Sequence, residues 1–125
     1  MANLTVTEIG SVVLNMIEGV SATISGTLPM IIGTEIYNVE NLTGDTIGTT
    51  VGEKYQPAVI NFSAANVSNL MNLEGADVNN IKLGDFTVNK GGQTNTLVTS
   101  QELRKIGNEQ IQNLGYSFEY YKALG

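Results

Sequence analysis

The stretch PAVINFSAANVSNLMNLEG, residues 57–75, decides the fold class of this chain. It opens on Pro57, and proline is favoured in the first helical turn because its missing N–H would have no partner there. It closes on Gly75, a residue that readily adopts the left-handed conformation in which helices end. Its apolar residues recur at helical spacing and are Val59, Ile60, Ala64, Val67, Leu70 and Met71. The stretch therefore predicts a helix over residues 57–73.

Towards the N-terminus, a second apolar stripe predicts a helix over residues 6–19. The stripe consists of Ile9, Val12, Val13, Met16, Ile17 and Val20. Thr5 is followed three residues later by Glu8, which is the pattern of a capping box and places an acid where the helix dipole favours one. Gly19 marks the end of this helix.

Residues 27–42 lie between these two segments and carry mixed signals. Their Ile, Tyr, Val and Thr residues favour strands. Their apolar residues recur at steps of four, four and three, at Leu28, Ile32, Ile36 and Val39. The steps favour a helix over residues 28–41 that starts at the turn with Pro29. The following stretch TGDTIGTTVGEK, residues 43–54, is rich in glycine and threonine and predicts a polar loop.

Towards the C-terminus, the apolar period changes to two in IKLGDFTV, residues 81–88. The four apolar positions are Ile81, Leu83, Phe86 and Val88. Two apolar runs around a Gly-Asp pair are typical of a β-hairpin with a type II′ turn. The sequence therefore predicts a hairpin at residues 80–89 and a polar, flexible connector over residues 89–98. A lone hairpin is barely stable in water, so it must pack on the helices or on another chain.

The last predicted helix, residues 99–121, starts at a second capping box formed by Thr99 and Glu102. Its apolar residues are Leu103, Ile106, Ile111, Leu114, Phe118 and Tyr121. No internal repeat or second domain is visible. The sequence thus predicts one all-α domain over residues 1–125, a small bundle of about four helices with one short β-hairpin before the C-terminal helix.

The charge of the chain is unevenly distributed and narrows the possible partners. Six Lys/Arg and twelve Asp/Glu give a net charge of −6, and residues 1–53 hold six acids and no basic residue. Six cations neutralise few phosphates, so tight nucleic-acid binding is not expected. No membrane span or signal peptide is expected either, because the longest apolar run has five residues and the N-terminus lacks a basic region.

The composition also demotes most enzyme classes. The chain has no His, Cys or Trp, so it cannot build a Ser-His-Asp triad, a thiol nucleophile, a disulfide or an ordinary zinc site. Two carboxylate pairs, Glu74 with Asp77 and Glu102 with Glu109, have no accompanying His or second pair to shape a catalytic site and are interpreted as solvated surface. We therefore expect no catalytic residue, no cofactor and no metal.

Two groups of residues are candidates for binding a partner. The first is the apolar set of the hairpin, which either seals the core of its own chain or reaches an adjacent subunit. The second is the C-terminal aromatic group, which consists of Tyr116, Phe118, Tyr120 and Tyr121. These four cover two faces of one predicted helix, and either two of them close the core or the helix docks its aromatic surface into a partner. Both interpretations stay open for each group.

Taken in order, these segments resemble the head–tail adaptor proteins of tailed bacteriophages, which are also called head-completion or connector proteins. The resemblance rests on the helix opened by YQPAVINF at residues 55–62 and on the segment ADVNNIKLGDFTVNKGG at residues 76–92. The run from Val78 to Gly92 looks like the short hairpin of that family. The chain departs from the family pattern in its loop 43–54 and in its scarcity of basic residues.

The resemblance implies a non-enzymatic virion structural protein. Such a subunit forms a homo-oligomeric ring, typically a dodecamer, that docks on the portal protein and extends the DNA channel toward the stopper or tail. It is made in the host cytoplasm and resides in the virion neck. The resemblance also implies that the last helix, Leu103 to Leu124, grips the portal and that the hairpin Ile81 to Val88 contacts a neighbour or the next ring.

The acidic first half would suit the wall of such a channel, because carboxylates repel DNA phosphates and let DNA slide. The candidate channel-lining acids are Glu8, Glu18, Glu35 and Glu40.

Two alternatives remain at this point. Another phage neck, tail or decoration protein would share the composition of a chain that assembles. A stand-alone helical domain that binds a small molecule belongs to a different class, and it would be monomeric and stabilised by its ligand.

Overall fold

The structure, a computed structural model, describes residues 3–73, 80–83, 86–89 and 96–115. The helices of this part are α1 (Val6–Met16), α2 (Ala22–Thr43), α3 (Gln56–Leu73) and α4 (Thr96–Asn113). Its strands form two antiparallel pairs, β1 (Leu4–Thr5) with β2 (Thr50–Val51) and β3 (Asn80–Leu83) with β4 (Phe86–Asn89). The predicted class, a small all-α bundle with a β-hairpin before the last helix, is confirmed.

The central helix of the bundle is α3, because α1, α2 and α4 all pack against it. Ten of its 18 residues are buried. Hydrogen bonds join α3 to α4: the Asn61 amide donates to Gln110 Oε1 at 3.0 Å, and Ser100 Oγ donates to the Ala65 carbonyl oxygen at 2.9 Å. These two bonds place α3 and α4 antiparallel. Ser63 and Ser68 of α3 are buried as well, although their hydroxyls have no hydrogen-bond partner among the described residues.

One hydrophobic cluster takes residues from all four helices. Its largest fully buried side chains include Phe62, Ile9, Ile17, Ile32, Met71, Leu103 and Ile111. Burying one such side chain contributes about 1.5–3 kcal/mol. Apolar burial is therefore the main force that holds the helices together.

The capping box at the start of α1 is confirmed. The Thr5 hydroxyl accepts from the Glu8 N–H at 3.2 Å, and the Glu8 carboxylate accepts from the Thr5 N–H at 3.0 Å. The predicted end at residue 19 is wrong, because the chain leaves the helix at Ile17 with φ −122° and ψ 122°. The Ile17 side chain stays in the core in this extended conformation.

The predicted start of α2 at residue 28 is wrong. The helix begins six residues earlier, where the Ser21 hydroxyl accepts from the Ile24 N–H at 3.2 Å. Pro29 lies inside the helix and deprives one carbonyl of its intrahelical donor. Burial of Ile24 and Leu28 in the preceding turn offsets this loss and keeps the segment helical. The helix ends at Gly44, whose φ of 77° suits glycine.

The segment over residues 43–54 is held by contacts within the chain. It contains β2, so the prediction of an irregular loop is wrong at residues 50–51: Leu4 pairs with Val51 and Thr5 with Thr50. The Val51 side chain is fully buried. Burial of this valine explains why the loop returns to the core before α3 begins.

The predicted hairpin is confirmed in its register. Asn80 pairs with Asn89 and Leu83 with Phe86, which leaves two residues to connect the strands. Those two residues, on which the predicted turn type depends, lie outside the described part of the chain. β3 lies beside α1.

Both predicted ends of the last helix need correction. α4 starts at Thr96, so Thr99 lies inside the helix and cannot be its cap, and the predicted connector 89–98 loses its last three residues to the helix. Its last helical residue is Asn113, before a turn in which Gly115 has φ 99°. Residues 116–121, which the prediction included, lie outside the described residues.

Candidate functional site

The most elaborate polar cluster of the described chain lies where α2, α3 and α4 meet. Its centre is Glu35 of α2, whose side chain is only 3% exposed. The Arg104 guanidinium of α4 binds both oxygens of this carboxylate, Nη1 to Oε1 at 2.8 Å and Nη2 to Oε2 at 2.9 Å. The Asn66 amide of α3 donates to Oε2 at 3.1 Å. We call Glu35, Asn66 and Arg104 the Glu35 cluster.

Apolar contacts position the guanidinium of the cluster. It lies 5.5 Å from the centre of the Phe62 ring, within the range of a cation–π interaction. The ring also lies close to Gly107, where an added Cβ would be 2.6 Å from Phe62 Cε1. The glycine therefore makes room for the ring between α3 and α4. The cluster links α2, α3 and α4 by hydrogen bonds, and both carboxylate oxygens of Glu35 already accept hydrogen bonds from Arg104.

The four predicted channel acids have different surroundings. Glu8 is exposed and caps α1, and Glu18 is exposed in the turn after α1. Glu40 accepts from the N–H of Ile47 at 2.7 Å and of Gly48 at 3.1 Å.

Glu35 has to be removed from this set of candidate acids. A carboxylate that is buried and bonded to Arg104 does not reach the surface of the chain and cannot face a channel. The sequence contained one signal for this: Glu35 falls in register with the apolar stripe of α2.

The backbone donors shift the ionisation of Glu40. Both N–H groups stabilise the charged form, so the hydrogen bond from Ile47, followed by that from Gly48, lowers the pKa of Glu40 below its ordinary value of 4.5. Nearby, the Tyr55 hydroxyl donates to the Asp45 carboxylate. Glu40 therefore organises the turn between α2 and β2.

The predicted partner-binding residues are only partly placed. In the hairpin, Ile81 stands opposite Val88 and Leu83 opposite Phe86, so the four occupy register positions on one face of the ribbon. Tyr116, Phe118, Tyr120 and Tyr121 lie outside the described residues.

A long uncharged surface on α2 was missed by the sequence reasoning. Seven exposed residues follow the helical period along it: Thr23, Gly26, Met30, Gly33, Thr34, Tyr37 and Asn41. We call this set the α2 outer face. The two acids of α2 are both engaged elsewhere, Glu35 in its cluster and Glu40 at the following turn. The signal in the sequence was a helix of 22 residues with only those two charges.

One groove of the described surface, of about 590 Å³, runs along α4 and is lined by polar and charged residues, which are Ser100, Gln101, Arg104, Lys105, Asn108, Glu109 and Gln112. Another groove, of about 200 Å³, lies between α1 and α2 near Gly10 and Pro29. Within residues 3–73 and 100–115, no three metal-ligating side chains come together. None of the described helices has the length and apolar character needed to cross a membrane.

Comparison with known proteins finds no match: no family model, no curated protein and no solved structure is similar to this chain.

Proposed function

We propose that this chain is a head–tail connector subunit of a tailed bacteriophage. It forms a homo-oligomeric ring, a dodecamer on the family pattern, that docks on the portal protein. The ring extends the DNA channel toward the stopper or tail in the virion neck. Its work is assembly, without catalysis, and DNA passes through without specific binding.

The observation that carries the proposal is the β3–β4 hairpin between α3 and α4. The apolar pattern around Gly84 and Asp85 predicted a hairpin at this point of the chain, and the connector resemblance rests on that segment. The observed register has the two-residue connection that the prediction requires. A two-stranded ribbon has free edges and needs a supporting surface. The position of β3 beside α1 supports the interpretation as a flap on the chain itself. In the other interpretation, in which the hairpin reaches an adjacent subunit, the contact would use the part of the ribbon that does not lie beside α1.

Glu8 and Glu18 are the acids that best suit a channel wall. Both are exposed, and they lie at opposite ends of α1. A wall formed by α1 from each subunit would present two tiers of carboxylates, which repel DNA phosphates. Glu35 takes no part in this wall.

The groove along α4 favours a second candidate function, a helical domain that binds a small polar molecule. Its lining offers Lys105, Asn108 and Glu109 as groups that could hydrogen bond to a ligand. In that case the protein would stay monomeric, and a ligand would raise its melting temperature.

Negative-stain microscopy of the purified chain, alone and mixed with its cognate portal, tests the main proposal. We expect rings, or density added to the portal. A chain that stays monomeric and has no affinity for the portal would contradict the proposal, and ligand-dependent stabilisation of such a monomer would favour the second candidate.

Paired hairpin variants sharpen this experiment. Leu83→Ser with Phe86→Ser changes one face of the ribbon, whereas Lys82→Ser with Thr87→Ser changes the other at paired positions of the same register. The first pair should abolish ring formation and the second should preserve it, with circular dichroism showing that both variants keep their helices. Equal behaviour of the two pairs would remove the hairpin from the assembly contact.

A further inference from the structure

The α2 outer face is unusual in combining large exposed side chains with glycines. Met30 is 75% exposed and Tyr37 is 65% exposed. Gly26 and Gly33 lie on the same side of the helix, at steps of four, three and four in the order Gly26, Met30, Gly33, Tyr37. Along the helix, the face thus alternates between a glycine, which leaves a gap, and a large side chain, which projects from the surface.

The described part of the chain offers no packing reason for the two glycines. A glycine inside a helix is about 1 kcal/mol less favourable than alanine. Gly10 and Gly107 have a packing reason, since an added Cβ would lie 3.2 Å from Leu28 and 2.6 Å from Phe62. At Gly26 and Gly33 an added Cβ would meet nothing within 4 Å. With respect to the described residues, the space above them is open and has room for the side chains of another molecule.

The spacing of the face is self-complementary about a two-fold axis. If two copies of α2 cross antiparallel, with the axis at the level midway between residues 31 and 32, Met30 of each copy lies opposite Gly33 of the other. The same axis places Tyr37 of each copy opposite Gly26 of the other. In a two-fold interface each residue pair occurs twice, so Met30 and Tyr37 of each copy both fit into the space above a glycine of the other copy. We propose that the α2 outer face binds the same face of a second copy of this chain in this antiparallel arrangement.

The charges of the molecule agree with this occupant. Two copies that carry −6 each repel one another. The α2 outer face has no charged residue, so two copies can meet there without bringing acids together. Close approach at the glycines lets the rows of side chains interlock, which is the geometry of helix packing in general.

This inference stands apart from the proposed ring. A two-fold contact pairs two copies and then closes, whereas a ring needs a different, head-to-tail contact. A result that contradicts one of these two contacts therefore leaves the proposal of the other unchanged.

Disulfide trapping tests the arrangement directly, because the chain has no cysteine of its own. In the proposed pair, residue 26 of one copy lies next to residue 37 of the other, whereas the two residues 26 are offset by about 16 Å along the helix. A disulfide needs Cα atoms within about 7 Å. An equal mixture of Gly26→Cys and Tyr37→Cys chains should form a linked dimer, and neither chain should do so alone.

A second mixture serves as the control for random collision. Asn15, the position of the Asn15→Cys substitution, is an exposed residue of α1 and does not belong to the α2 outer face. Mixed with the Tyr37→Cys chain, the Asn15→Cys chain should give little linked dimer. Linkage of the Gly26→Cys chain to itself, or equal linkage in the two mixtures, would overturn the antiparallel pairing.

Sedimentation velocity over a concentration series provides the second measurement. Gly33→Gln should weaken dimerisation on the order of tenfold or more, because the longer side chain fills the gap for Met30. Its helical content should be unchanged, since no residue in the described ranges would come within 4 Å of a Cβ at that position. Asn15→Gln, the matched control on α1, should dimerise like the unmodified chain. An unmodified chain that sediments as a monomer throughout would overturn the proposal.

Discussion

At the scale of single residues, Arg104 and Glu35 depend on each other unequally. Glu35 is buried, so loss of its partner leaves a carboxylate with only amide donors. Arg104 is 39% exposed and can turn to water when the carboxylate is removed. We expect Arg104→Met to lower the free energy of unfolding by about 2–3 kcal/mol, below the range for fully buried pairs, and Glu35→Gln to lower it by less. Urea denaturation of both variants measures this difference.

The double variant is the control for that prediction. Combined with Glu35→Gln, Arg104→Met should cost less than it does alone, because no unpaired charge is left in the interior. Strictly additive effects would mean that the pair contributes nothing as a pair.

Among the glycines of the described part of the chain, Gly107 is the one at which an added methyl group would come closest to a neighbour. Gly107→Ala would push a Cβ into the Phe62 ring, and we expect a loss of about 1–3 kcal/mol from overpacking. Gly33→Ala, at an open helical position, should instead gain about 1 kcal/mol. Thermal unfolding in dilute solution, where copies stay apart, compares the two substitutions. If both substitutions lower the stability, helix propensity does not determine the effect of the substitution at position 33.

Local residue patterns predict local contacts well and distant ones poorly. The capping box of Thr5 and Glu8 was readable because both partners lie within four residues of sequence. The pairing of Glu35 with Arg104 was not readable, because the partners are 69 residues apart and six cations were available to one buried acid. The position of Glu35 on an apolar stripe signals burial and gives no indication of the partner.

At the scale of elements, the turn between α2 and β2 depends on the ionised form of Glu40. Because its pKa in the folded chain is lowered, this carboxylate stabilises the fold above the ordinary value of 4.5 and loses that contribution as the pH falls through the lowered pKa. Glu40→Gln should therefore be less stable than the unmodified chain near neutral pH, and the difference should vanish in acid.

Thermal unfolding at a series of pH values checks the Glu40 prediction. The matched control is Glu18→Gln, which removes an exposed acid from the turn after α1. A pH-independent difference for Glu40→Gln would contradict the assigned role of the Ile47 and Gly48 donors.

The helices were predictable as elements, whereas several of their ends were not. Proline is common in the first turn of a helix, so Pro29 suggested that α2 starts at residue 28. The helix starts six residues earlier, directly after its cap Ser21. Thr99 has the pattern of a cap but lies within α4. In α2, burial of Ile24 and Leu28 extends the helix past the local signal, and a short window of sequence does not contain that tertiary contact.

At the scale of the whole molecule, salt should strengthen the proposed pairing of two copies. Each copy carries −6, and screening reduces the repulsion between them while leaving an uncharged interface untouched. Sedimentation at rising ionic strength should show tighter dimerisation of the unmodified chain, with the Gly33→Gln variant as the control. Weaker association at high salt would indicate an interface built on ion pairs and contradict the uncharged one.

The burial of α3 on nearly all sides has a consequence for mutational tolerance. A scan of polar substitutions along α2 should show tolerance that rises and falls with the helical period, because one side of that helix is buried and the other is open. Along the middle of α3 the same scan should find intolerance without a period, since neighbouring helices surround it. Under selection for stability alone, α3 would thus change least of the helices, and the outer side of α2 would drift freely unless selection also acts on assembly.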